Sequence, residues 1–153
     1  MFAVYSDIGA MRWVGDGSAI TREECARWIA ITRRNYATRG YGMFAVARRS
    51  DCRIIGFCGI VHPNNQVLPE LKYAFLRDVW GQGHASELVP GLIAYGFVSH
   101  GLTRMIATVA PENLASRRVL AKASLRETET LEDGTLVYEW ASAEAPPART
   151  AGS

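Results

Sequence analysis

The residues with the most chemical promise lie at 78–87, DVWGQGHASE. Gly81, Gly83 and Ala85 are small, and His84 and Ser86 bring side-chain donors to the same turn. The stretch follows an alternating apolar segment and precedes one with apolar residues at helical spacing, so it reads as a strand-to-helix junction. The first N–H groups of a helix have no intrahelical acceptor, and the helix dipole adds partial positive charge there. Small residues let a ligand approach that backbone. The chemistry this suits is the binding of phosphate. An ordinary structural turn has the same composition, so the stretch alone leaves both readings open. A dinucleotide fingerprint does not fit. Ser86 stands where the third glycine belongs, and no Asp or Glu occurs from Leu88 through Pro111 to hold a ribose. Cys58 and His62 lack the second ligand pair that a structural metal site requires, so no metal is expected.

Composition narrows the field further. At 153 residues, 48% hydrophobic and 21% charged, the chain has the makeup of one globular domain. Its net charge is +2 and no basic run exceeds a pair, which argues against nucleic acid as partner. No segment has the apolar length to span a membrane, and the N-terminus lacks the pattern of a secretory signal. Three cysteines at irregular spacing predict reduced thiols and a cytoplasmic protein.

The elements that must position the junction follow from periodicity. Phe2, Val4, Tyr5, Ile8, Met11 and Trp13 predict one short helix over 1–14, followed by a loop at 15–18. Thr21 with Glu24 is a capping-box signal, opening a helix that carries Cys25, Trp28, Ile29 and Ile31 and ends at Gly40 and Gly42. Strands are expected over 43–49, 53–62 and 68–77, with turns at Ser50-Asp51 and at 63–66. Leu88, Val89, Leu92, Ile93 and Phe97 mark the next helix. A strand over 104–110, a helix over 113–123 and a hairpin turning at Asp133-Gly134 complete the order. The fold class is therefore mixed α/β (α+β): a mostly antiparallel sheet with one parallel junction, flanked by helices. Residues 1–140 form a single domain, and 141–153 have the composition of a disordered tail.

In sequence, WGQGHASE (80–87) resembles the coenzyme A loop of the GNAT acetyltransferases, most closely the RimJ/RimL branch that acetylates protein N-termini and related amines. Further matches fall in the family's order: TREECARWI on the second helix, PELKYAFL on the central strand, and PENLASRRVLAKASL on the Asn-x-x-Ser helix. The likeness covers roughly residues 1–140. There are departures. Ser124-Leu125 replaces Gly-Phe, Pro90 lies inside the presumed coenzyme helix, and the family's first strand has no counterpart, which leaves the 43–49 strand an open edge. The open edge makes a homodimer plausible.

The resemblance implies transfer of an acetyl group from acetyl-CoA to a primary amine, by direct attack on the thioester through a tetrahedral intermediate. Such chemistry needs a free amine, an oxyanion donor and tight positioning, since thiolate is a ready leaving group with a pKa of about 8.5. Glu70 matches the branch's acidic residue, as a general base acting through water, as a substrate-orienting group, or as a surface carboxylate without a role. Backbone N–H groups of Tyr73 and Phe75 would hold the thioester oxygen. Gly81, Gln82, Gly83, His84, Ala85 and Ser86 would grip the diphosphate, with Trp80 closing the loop and His84 a weak donor or spectator. Ser116 would protonate the thiolate or bond the pantetheine. Asn113 would bond the pantetheine, cap its helix, or both. Arg117, Arg118 and Lys122 would neutralise phosphates or form a solvated basic face. Trp13, Trp28 and Tyr36 would line the acceptor side or belong to the core. The acceptor is open among protein N-termini, polyamines, amino acids and antibiotic amines. A catalytically inactive acyl-CoA-binding module and an interaction protein that keeps only the fold are the alternatives.

Overall fold

A computed structural model describes residues 1–14 and 17–144. The expected capping box is present. Thr21 Oγ1 accepts from the Glu24 N–H at 3.2 Å, and Glu24 Oε2 accepts from the Thr21 N–H at 2.7 Å. The third helix, α3 (Arg22–Arg39), starts there and ends at Gly40, whose φ is +82°. The single N-terminal helix expected over 1–14 is instead two: α1 (Phe2–Tyr5) and α2 (Ile8–Met11). Asp7 breaks them apart. Its carboxylate caps α2, accepting from the N–H groups of Gly9 and Ala10, and accepts from Arg77 Nε at 3.0 Å. A short acidic side chain at that point favours a cap over continued helix.

The sheet comprises β1 (Met43–Ala47), β2 (Ile54–Val61), β3 (Glu70–Phe75), β4 (Arg104–Val109), β5 (Arg126–Thr130) and β6 (Leu136–Ala141), in the order β1-β2-β3-β4-β6-β5. Among the described residues every pairing is antiparallel except β3 with β4. Helix α4 (His84–His100) joins β3 to β4, and α5 (Leu114–Lys122) leads into the closing hairpin. Several strands are shorter than alternation suggests. Thus β1 stops at Ala47 because Arg48 turns to pair with Asp51. At the other end, Ala141 belongs to β6, and residues 145–153, expected to be a disordered tail, lie outside the described residues.

Period-two alternation splits the sheet into two faces. On one, Ala74 and Phe57 pack with Val4, Tyr5 and Met11 of α1 and α2 and with Trp28 of α3. On the other, Ile60, Leu71, Met105, Ala107 and Val109 pack with Val89, Leu92 and Ile93 of α4 and Leu120 of α5. Gly96 allows the close seat of α4: a Cβ there would stand 2.8 Å from Met105 Sδ and 2.9 Å from Ile60 Cδ1. Pro90 does not break α4, which runs from His84 to His100 with Pro90 on its exposed side. There water can reach the Ser86 carbonyl that Pro90 cannot donate to.

At the end of α5, Ser124 adopts φ +67°, the left-handed conformation that its replacement of glycine makes costly. The motif is complete nonetheless, with Leu125 N–H donating to Leu120 O and Ser124 N–H to Ala121 O. Substituting Ser124→Gly is therefore expected to raise unfolding stability by about 0.5–1 kcal/mol in urea titrations, by relief of left-handed strain.

The three thiols differ in environment: Cys25 and Cys58 are buried and Cys52 is exposed. Ellman's reagent should titrate Cys52 in the native protein and reach the other two only on unfolding. Burial pushes the Cys58 thiol from its ordinary 9.0 up to about 11. The raised value means that its contribution to stability is full below about pH 9 and is lost as pH rises through about 11, a window that alkaline melts of Cys58→Ala against wild type would resolve.

Candidate functional site

The parallel pair β3–β4 is bonded at one register point, Glu70 opposite Ile106. Beyond it the strands have no ladder. Alternation sets which groups face the opening. Leu76 N–H donates to Ile55 O on β2, and Pro69 O accepts from Ile106 N–H on β4, so the intervening odd-numbered amides point toward β4. Tyr73 and Phe75 therefore turn their N–H groups into a gap with no strand opposite. The Phe75 carbonyl is taken by Trp80 Nε1 at 3.0 Å, which ties the loop before α4 to the strand. The rim of the gap is thus richer in donors than in acceptors.

The Tyr73 side chain lies on the α4–α5 face, with its phenol 2.6 Å from Ser116 Oγ. Burial pushes the Tyr73 phenol up, against the opposing effect of the Ser116 hydrogen bond, so it holds its proton at neutral pH. Asn113 caps α5 by accepting the Ser116 N–H at 3.2 Å, which fixes the serine beside the phenol. The capping reading of Asn113 is thereby met.

Glu70 lies on the opposite face of β3 from Tyr73. Only 3% of it is exposed, so it is not a surface carboxylate. Its Oε1 accepts from Thr108 Oγ1 at 2.6 Å and pairs with Lys72 Nζ at 2.5 Å, while Oε2 accepts from Gln66 Nε2 at 3.3 Å. Gln66 is held in turn. Its backbone carbonyl takes a bond from His62 Nδ1 at 2.9 Å, and its amide also donates to Leu68 O. Because a carbonyl only accepts, His62 Nδ1 carries the hydrogen, and Nε2 shares a hydrogen bond with the Tyr41 hydroxyl at 2.8 Å.

The start of α4 has no side-chain cap. Gly83 occupies the cap position at φ +84°, Gly81 has φ +74°, and a Cβ on either would meet nothing within 4 Å. The amides of His84, Ala85 and Ser86 accordingly face outward, as the first turn of any helix must. The His84 ring stacks on Phe75 with its centroid 5.9 Å away, and its buried Nε2 has no partner among the described residues. Gln82 folds back to donate to Asp78 O. Open amides, open space at two glycines and an orphaned imidazole nitrogen fit an anionic group such as a diphosphate.

The cations of α5 separate. Arg117 is committed to Tyr138, the Pro111 carbonyl and Glu127, so it is a structural brace, not a free phosphate ligand. Arg118 and Lys122 are exposed, one turn apart. The three aromatics also divide: Trp28 packs edge-on against Tyr5 in the core, Trp13 stacks under Arg12, and Tyr36 bonds the Met43 carbonyl at the β1 edge. Of these, Tyr36 braces the edge strand and does not face Glu70.

Sequence reading missed four groups: the Tyr73 phenol, Lys72, Thr108 and Gln66. Tyr73 and Thr108 lie far along the chain from their partners, and Gln66 sits in a turn whose spacing says nothing of where its amide points. Lys72 alone left a signal, a charge two residues from Glu70 and hence on the same strand face.

Comparisons with known proteins agree with this fold. The model of the acetyltransferase (GNAT) domain matches residues 1–126. The chain is 30% identical to the uncharacterized protein YkkB of Bacillus subtilis over 112 residues, 72% of this chain and 65% of that one. It is 38% identical to the uncharacterized N-acetyltransferase p20 of Bacillus licheniformis over 93 residues, 59% of this chain and 51% of that one. It thus spans less than two-thirds of the length of each. Among solved structures, an acetyltransferase from Agrobacterium tumefaciens superposes with TM-score 0.77 at 20% identity, covering 92% of this chain and 84% of the other. A ribosomal-protein-alanine N-acetyltransferase from Brucella melitensis gives 0.74 at 17%, covering 92% and 91%. The aminoglycoside acetyltransferase AAC(6')-Ib in complex with coenzyme A gives 0.71 at 14%, covering 92% and 86%. At such identities the structures speak to fold alone. The extent of the domain match and the splayed central strands lead to one conclusion: the chain belongs to the GNAT acetyltransferase family.

Proposed function

We propose that the protein is an N-acetyltransferase that moves the acetyl group of acetyl-CoA onto a primary amine. The observation that carries the proposal is the division of labour across β3. Glu70 faces α1–α3, the Tyr73–Ser116 pair faces α4–α5, and the amides of Tyr73 and Phe75 open into the gap between. The diphosphate of the co-substrate would rest on the amides of residues 83–86, with Arg118 and Lys122 available to its other phosphate.

The chemistry then follows from position. Tyr73 and Phe75 N–H groups donate to the thioester oxygen as it gains charge. Glu70, held in place by hydrogen bonds from Thr108 and Gln66, takes the amine's proton directly or through water. The Tyr73–Ser116 pair supplies a proton to the departing thiolate. No covalent intermediate is needed, because the thioester is already activated.

The RimJ/RimL assignment rests on the WGQGHASE loop and Glu70. The Brucella protein and AAC(6')-Ib show that this fold serves both ribosomal-protein and aminoglycoside acceptors, so the fold does not choose between them. A cytoplasmic location and a homodimer joined along the β1 edge belong to the same reading, supported by the free thiols and by an edge strand with no neighbour beyond it among the described residues.

A thiol-release assay over a panel of peptide N-termini and small amines tests the proposal. Replacing Glu70 with Gln is expected to lower kcat by roughly 10²-fold or more, as loss of general-base assistance does. Binding of coenzyme A in calorimetry with no thiol release over the whole panel would instead favour a non-catalytic acyl-CoA-binding module. Tyr73→Phe and Ser116→Ala should each cost about tenfold or less, and the double variant little more than either single one, since the two hydroxyls act as one unit. Gly83→Ala should lower stability by about 1 kcal/mol through left-handed strain. In calorimetry it should weaken coenzyme A binding by roughly tenfold or more, because a methyl group then crowds the diphosphate seat.

A further inference from the structure

Lys72 and Lys122 are the only lysines in the chain; all the other basic side chains, histidine aside, are arginine. One of those two primary ammonium groups sits on the buried carboxylate. Lys72 Nζ lies 2.5 Å from Glu70 Oε1 and donates to Thr108 Oγ1 at 3.4 Å. The register explains the placement. With Glu70 opposite Ile106, Lys72 stands level with Thr108, the first rung at which β3 and β4 are no longer bonded. The ammonium therefore lies across the mouth of the gap. The two partners differ in freedom: the Lys72 side chain is 40% exposed, that of Glu70 4%. A long flexible cation rests on a fixed anion.

We infer that Lys72 holds the place of the acceptor's ammonium, so that the acceptor enters as a cationic primary amine and displaces Lys72 from Glu70 Oε1. The inference rests on Glu70 facing the acceptor, as proposed above. A buried carboxylate stripped of its cation is strongly disfavoured, so Lys72 leaves only when another cation arrives. An ammonium can make the exchange, because it brings the same charge and the same N–H donors. An arylamine, neutral at pH 7, cannot. Lys72 thus acts as a specificity-determining residue: it sets the threshold that an acceptor must exceed and confines the site to alkyl ammonium groups. It also covers Glu70 when no acceptor is present.

The test uses the intact protein labelled with ¹⁵N-lysine, which gives two Nζ signals. The probe is n-propylammonium chloride, compared with tetramethylammonium chloride at equal ionic strength. The expected result is that n-propylammonium speeds hydrogen exchange at Lys72 Nζ several-fold and leaves Lys122 unchanged, while tetramethylammonium, which has no N–H, does neither. Lys72→Met should bind n-propylammonium roughly tenfold more tightly, as the loss of an internal competitor predicts, and Glu70→Gln in that background should abolish the gain. In turnover assays Lys72→Met should lower the acceptor KM and leave the acetyl-CoA KM unchanged. Equal effects of the two salts, an unmoved Lys72 signal, or a Lys72→Met variant that binds the probe no more tightly would each overturn the inference. The exchange experiment needs no catalysis, so displacement of Lys72 without turnover would leave the inference standing while the transferase reading fell.

Discussion

Two parallel strands bonded at a single point must part beyond it, and the pairing of Glu70 with Ile106 sets where β3 and β4 do so. The amides of Tyr73 and Phe75 lose any strand opposite and become donors to whatever enters. The next residues on one face, Glu70 and Lys72, meet Thr108 across the opening. The next on the other face, Tyr73, meets Ser116 on α5. Had the ladder continued two more residues, the donors would be spent on β4 carbonyls and the two polar clusters would be sealed in a sheet interior.

Holding the strands apart requires that each be fixed from its far side. The six antiparallel register positions that bind β3 to β2, and the six that bind β4 to β6, do this. Helix α4 then bridges the two strands across the α4–α5 face, seated closely by Gly96, while the Trp80 indole anchors its leading loop to β3. The Asp7–Arg77 pair ties α2 to the segment that follows β3, so the helices on one face and the loop on the other share a single frame. As an exposed ion pair it adds little to global stability; its effect is on geometry.

Much of this was legible in the sequence. The order of elements, the single parallel junction and the uncapped start of α4 follow from periodicity and from Gly81 and Gly83, because local spacing encodes them. The separation of α1 from α2 was not read, since Asp7 looked like one polar residue in an amphipathic run and its cap depends on Arg77, 70 residues away. The burial of Glu70 also escaped notice, because alternation on a strand shows which face a side chain takes but not what covers that face. Arg117 and Arg118 are adjacent and chemically identical in sequence, yet only contacts with Tyr138 and Glu127 separate brace from free cation. Ser124 marks the reverse case. Sequence flagged the missing glycine, and the helix end kept its geometry regardless.

The turn before β3 carries a further consequence. Asn64 and Asn65 both adopt left-handed conformations, with φ +52° and +56°, and both are exposed, as is the neighbouring Val67. Asparagine tolerates this conformation better than most residues, but two in succession leave the segment with little local preference for its native path. An exposed turn of this kind opens locally at less than the free energy that unfolds the sheet. Gln66 sits at its end and would carry its bond to Glu70 away with it. Warming should therefore loosen the carboxylate's support well before the strands melt, so that heat blunts whatever chemistry Glu70 performs in a protein still folded, and cooling restores it.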